Sequence, residues 1–384
     1  MTKRPWELSS AMLQAIQVDD VEAAERILNT GFDVDTIVMH SKSAVTLCIE
    51  RNAIKIAKLL IQKGCSLSSK VVPGYSPLHL AVQNSDYALT KLLLENRADV
   101  TSIDGLGQIP LHIACKRNSL DIVKLLLEKS TKSSLSKRDV DGATPLLVAC
   151  RHSCPEIVKL LLSKGSIVCT SDRLGNGEIL SATSNTAEYA TCIIPMLLDA
   201  GALINQSNVH RETALLRAVT QVSNITESCQ KHSYTDLCML LINSGSDVNA
   251  INCLGQTPLH LAVSSNNELL VRKLLVSGSN IDCRDDLNFV PLFYACRNGN
   301  QRLVQLLVSC GANLQAHDWE NCMTMFGNEE TISLLSYLMH KSKQCHTLEN
   351  LCNILIRKSL KNVEKDVCQL PLPPSLIQHI QLKD

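Results

Sequence analysis

Aromatic residues are scarce: Phe, Tyr and Trp together make up 3% of the 384 residues. A core with so few rings has to be filled by Leu, Val, Ile and Ala, which suits small helices packed closely together. Long apolar runs are missing as well. No stretch approaches the roughly 18 consecutive apolar residues of a membrane span, so insertion into a bilayer is not expected. Nor is there excess charge of either sign, with Lys plus Arg and Asp plus Glu at 37 each. That balance argues against non-specific binding to nucleic acid or to an anionic membrane. The opening Met1-Thr2-Lys3-Arg4-Pro5-Trp6-Glu7-Leu8 lacks an apolar run of signal-peptide length. A soluble, intracellular chain is expected, in the cytoplasm, with the nucleus as a second candidate.

Cysteine is plentiful at 17, but no Cys-x-x-Cys pair or Cys/His cluster with zinc-finger spacing occurs. Cys48, Cys115, Cys150 and Cys296 fall at or beside one small-residue position of a repeat, which fits buried free thiols in a reducing compartment. There is no Gly-rich phosphate loop, HExxH or nucleophile elbow. Asn224-Ile225-Thr226 fits a glycosylation sequon, irrelevant to a cytosolic chain. No catalytic residue, metal site or cofactor is expected.

What the chain has is a pattern repeated about every thirty-three residues. Ser76-Pro77-Leu78-His79-Leu80-Ala81, Ile109-Pro110-Leu111-His112-Ile113-Ala114, Thr144-Pro145-Leu146-Leu147-Val148-Ala149, Thr257-Pro258-Leu259-His260-Leu261-Ala262 and Val290-Pro291-Leu292-Phe293-Tyr294-Ala295 share one register. About ten residues after each comes an apolar block such as Leu92-Leu93-Leu94 or Leu160-Leu161-Leu162, and a Gly often closes the unit. A Thr hydroxyl caps a first helix that Pro can begin. The apolar block is the buried stripe of a second, antiparallel helix, and Gly allows the left-handed turn that ends it. His79, His112 and His260 recur too far apart to share an ion, so structural hydrogen bonding is their expected role.

This pattern resembles the ankyrin repeat over about residues 7–340, with nine repeats and a cap. The resemblance implies an all-α ankyrin-repeat solenoid. Two irregularities stand out. About eleven extra residues near Ser223–Ser233 should separate the two helices of their unit, and Pro195 should bend or shorten its helix.

Residues 345–384 do not continue the repeat. Thr347-Leu348-x-x-Leu351-Cys352-x-x-Leu355-Ile356 places Leu348, Cys352 and Ile356 on one face of a helix. Leu370-Pro371-Leu372-Pro373-Pro374 cannot be helical, and it leads towards Leu376 in a last helix. These two motifs, in this order, resemble a SOCS box of three small helices, and the whole chain resembles the ankyrin-repeat and SOCS-box family. Asn353 and His379 depart from the usual basic and aromatic residues there.

The resemblance implies a non-catalytic substrate receptor of a ubiquitin ligase. Thr347, Leu348, Leu351, Cys352, Leu355 and Ile356 would bind elongin B/C. Leu370, Pro371, Leu372, Pro373 and Leu376 would bind cullin-five, which carries its RING partner. Ankyrin repeats bind proteins through hairpin fingertips and first helices, so Tyr75, Phe289 and Trp319 on the fingers are candidate contacts to an unknown protein substrate. Trp319 suits either an interface hot spot or a fold-down onto the tail. Arg51, Lys116, Arg117, Arg151, His152 and Arg297 recur near the ends of first helices and could receive an acidic segment, or simply form a solvated face. Two other readings of the chain stand beside the ligase: an ankyrin scaffold or inhibitor whose tail is a structural cap, and an enzyme or metal protein using the cysteines.

Overall fold

The structure, a computed structural model, describes residues 5–39, 42–68, 74–152, 154–224, 228–317, 329–342 and 363–366. The chain divides into two compact units, Met1–Asn185 with Cys192–Ala202 and Thr186–Thr191 with Leu203–Asp384. Both are made of antiparallel helix pairs joined by hairpin fingers. No helix among the described residues is long and apolar enough to cross a membrane.

In the first unit, helices Pro77–Gln83 and Tyr87–Glu95 form one pair, and Pro110–Lys116 with Leu120–Lys129 and Pro145–His152 with Pro155–Ser163 form the next two. Each first helix begins where the repeat places Pro, in a position whose N–H would be unsatisfied anyway. The Ser76 side chain accepts from the His79 N–H, and the Asp86 carboxylate caps the following helix through the Leu89 N–H at 2.9 Å. The Leu-rich stripes fill the space between layers. Leu78, Leu93, Leu111, Leu126, Leu146 and Leu161 all lie in the core, close to fully buried. Burying each is worth roughly 1.5–3 kcal/mol, so the repeated leucines are the main source of cohesion.

Turn chemistry fixes the rest. After helix Pro155–Ser163 the chain reverses through Gly165 at φ +90°, its N–H donating to the Leu162 carbonyl at 3.0 Å. Later fingers of this unit are each organised by one Asp side chain. The Asp104 carboxylate accepts from the Leu106 and Gln108 N–H groups, and Asp139 does the same for Asp141 and Ala143. Fingers also join to their neighbours, as where the Val140 N–H donates to the Leu106 carbonyl at 2.9 Å. The named strands among the described residues are Ile37–Met39 and Lys42–Ser43, a short antiparallel pair in an early finger.

The second unit repeats the scheme with Pro258–Ser264 and Glu268–Val276, then Pro291–Arg297 and Gln301–Ser309, against which helix Glu329–Ser342 packs. Leu259, Leu274, Leu292 and Leu307 occupy the same buried stripes. Asn252 and Asp285 organise its fingers. At Gly255, φ +70°, a Cβ would come within 2.8 Å of the Asp286 backbone nitrogen, so the close finger-to-finger approach needs glycine.

The two irregularities fall at long helices. Much of the insertion lengthens the helices on either side: Ala214–Asn224 has 11 residues where its counterparts have 7, and Ser228–Asn243 has 16 where they have 9. Residues 225–227, between the two helices, lie outside the described residues. Pro195 does not shorten its helix, which runs from Ala187 to Asp199. The removed backbone hydrogen bond costs about 3 kcal/mol, and fully buried Ile193, Ile194 and Leu197 offset it.

Candidate functional site

The recurring histidines are joints between repeats. Nδ1 of His112 accepts from the Ile109 N–H at 3.2 Å, and its Nε2–H donates to the Ala143 carbonyl of the next finger at 3.1 Å. His79 makes the same two bonds to Ser76 and Gln108, and His260 to Thr257 and Phe289. Both ring nitrogens are consumed by backbone, so these rings have no capacity left for a metal. Among the described residues, no three His, Cys, Asp or Glu side chains gather into a group that could hold an ion.

Burial holds the His112 and His260 pKa values below the ordinary imidazole value, outweighing the raising effect of the carbonyl each faces. Below about pH 6.5 the unfolded chain binds protons that the folded rings refuse. Folded stability is therefore fully present above that pH and declines as the pH falls below it. His112→Ala should lower the unfolding free energy by about 2 kcal/mol or more, since two buried backbone groups are left unmatched at about 1–3 kcal/mol each. Urea denaturation at a series of pH values measures both effects, and the variant should show the shallower acid slope.

One repeat solves the same problem another way. Phe293 stands where the repeat has its His, and the Val290 N–H donates instead to Nε2 of His317 at 3.2 Å. Phe289 stacks on Phe293 with centroids 3.8 Å apart and planes 9° from parallel, and His317 lies beside both. Residue reading missed His317, though the Phe in Val290-Pro291-Leu292-Phe293 signalled that its partner had to come from elsewhere. At the Pro position of Gly177-Glu178-Ile179-Leu180, the buried Glu178 carboxylate accepts from the Thr170 N–H at 2.8 Å and the Thr170 hydroxyl at 2.6 Å.

The thiols at the small-residue position are core. Cys48, Cys115, Cys150 and Cys296 are completely buried as thiols rather than disulfides. Burial pushes the Cys48, Cys115 and Cys150 thiols well up, and burial with the nearby Asp35 charge brings Cys65 to about 12. A thiol held protonated is a poor nucleophile and a poor ligand.

The candidate partner-binding residues separate into distinct sets. Tyr75 is half-buried against His79, edge to face at 6.2 Å. Phe289 belongs to the ring cluster and is half-buried. The finger tips expose leucines: Leu106, Leu174, Leu254 and Leu287, the last 70% accessible. Arg151 is partly committed, its guanidinium meeting the buried Asp172 carboxylate at 2.9 Å. Burial alone would raise the Asp172 pKa, yet hydrogen bonds from Asn176 and Arg151 hold it below the usual carboxylate value. Lys116, Arg117 and Arg297 are exposed. Within the first unit the cations do not form one continuous row, because Gln83 and Asn84 interrupt it between Arg51 and Lys116; Arg297 belongs to the second unit. Trp319 and the tail residues Thr347, Leu348, Leu351, Cys352, Leu355, Ile356, Leu370, Pro371, Leu372, Pro373 and Leu376 lie outside the described residues.

Paired helices with self-satisfied fingers and an exposed, varied edge define a repeat protein whose frame is constant and whose surface binds. A family model described as Ankyrin repeats (3 copies) matches residues 12–104, 78–172 and 225–318. The chain belongs to the ankyrin-repeat family, and its business is protein–protein interaction. No curated protein matches it.

Proposed function

We propose that this chain is the substrate-binding subunit of an elongin B/C–cullin-five–RING ubiquitin ligase. The observation that carries the reading is in the sequence: Thr347-Leu348-x-x-Leu351-Cys352-x-x-Leu355-Ile356 followed by Leu370-Pro371-Leu372-Pro373, downstream of an ankyrin array. The array, residues 7–340, holds a protein substrate. The tail, residues 345–384, docks elongin B/C with the first motif and cullin-five with the second. A cytoplasmic assembly of this kind needs no bond chemistry from this chain. It raises the local concentration of substrate lysines beside the charged E2, and ubiquitination then leads to proteasomal degradation.

Co-expression of the full chain with elongins B and C tests the reading. Co-purification of the three at equal stoichiometry supports it. An array that folds, remains soluble and emerges without elongins rejects it.

A further inference from the structure

Charge is segregated on the first unit in a way the neutral total conceals. The first helices Pro77–Gln83, Pro110–Lys116 and Pro145–His152 contain no Asp or Glu. Two of these neighbouring helices end in basic residues, Lys116 with Arg117 and Arg151 with His152. The second helices of the same repeats mix signs: Lys91 with Glu95, Asp121 with Lys124, and Glu156 with Lys159. Nor do the fingers neutralise the patch. The Asp104 and Asp139 carboxylates are buried against their own finger N–H groups, and the Asp172 carboxylate reaches Arg151 alone among these cations. Lys116 and Arg117 are exposed, and among the described residues neither meets a carboxylate in an ion pair. His152 is held below its ordinary pKa by burial and then by the Arg151 and Lys116 charges, which places a neutral imidazole N–H donor in the field of two cations.

We infer that this patch receives an acidic segment of a partner protein, its carboxylates meeting Lys116, Arg117 and His152 beside the Arg151–Asp172 pair. Charge complementarity identifies the occupant. Nucleic acid fits less well, since the three first helices offer no Phe, Tyr or Trp on which a base can stack. Naming the bound segment as substrate rests on the ligase reading. The binding does not, because it uses the array alone.

The test is fluorescence anisotropy of the full chain with a labelled peptide of alternating Glu and Ala, without elongins, so that failure here is separable from failure of the tail assignment. The Glu peptide should bind at low ionic strength and weaken as salt rises, while its Gln counterpart should not bind. Lys116→Glu with Arg117→Glu should weaken binding at least about tenfold. The same charge change on second helices, Lys91→Glu with Lys159→Glu, should leave it within about twofold. Lys116→Gln with Arg117→Gln, milder in charge, should give an intermediate loss, and thermal melts establish that every variant folds. Equal binding of the Glu and Gln peptides, equal losses from first-helix and second-helix reversals, or displacement of the peptide by a single-stranded oligonucleotide at lower concentration would each overturn the inference.

Discussion

A chain carrying Leu348→Pro together with Cys352→Phe should lose elongin B/C entirely in co-purification, while its array melts at the wild-type temperature. Leu348, Cys352 and Ile356 are spaced to share one helix face. Proline inside a helix removes a backbone donor and clashes with the preceding turn, costing about 3 kcal/mol or more. The leucine it replaces would lose its pocket, roughly another 1.5–3 kcal/mol. Phenylalanine in place of a small thiol adds overpacking of about 1–3 kcal/mol. Since about 1.4 kcal/mol is a factor of ten in affinity, the combined loss exceeds a thousandfold. The array should be untouched because a repeat interacts only with its neighbours. Wild-type elongin recovery by the double variant would remove the first tail motif from the account.

Leu161→Ala should be among the most damaging single changes to the array. Leu161 is completely buried in helix Pro155–Ser163, flanked by equally buried Ile157 and Val158. Truncation discards transfer free energy and leaves a cavity that its neighbours only partly fill, for about 2–5 kcal/mol. Against a total stability of about 5–15 kcal/mol, that is a large fraction. Urea denaturation should show a lower midpoint, and hydrogen exchange should rise first in the repeats that touch this helix. A loss under about 1 kcal/mol would contradict the close-packed interior described here.

The repeat made the fold legible because its signals are local. Pro110 starts a helix, Gly165 ends one and Leu161 is buried, each by signals within a short stretch of chain. What escaped depended on competition or on distance. The extra residues of 214–243 looked like a separating segment because their number was counted without asking for a breaker, and with no Gly or Pro among them the flanking helices extend to Asn224 and from Ser228. Pro195 carries an intrinsic penalty that buried Ile193, Ile194 and Leu197 outweigh. Arg151 looked like part of a binding row because its partner Asp172 lies 21 residues on, in the next finger. His317 was invisible because it fills a vacancy made by Phe293 in the preceding repeat. Of the binding surface, the segregation of cations onto first helices could be read in the residues, whereas their partial commitment to Asp172 could not.

Hydrogen exchange of the full chain, with and without elongin B/C, tests the central claim most directly, because it reports array and tail in one experiment. Strong protection should appear on elongin binding in peptides covering 347–356, with the repeats from 77 to 309 unchanged. Protection confined to those repeats, or none anywhere at saturating elongin, would contradict the division between a substrate-holding array and a ligase-docking tail.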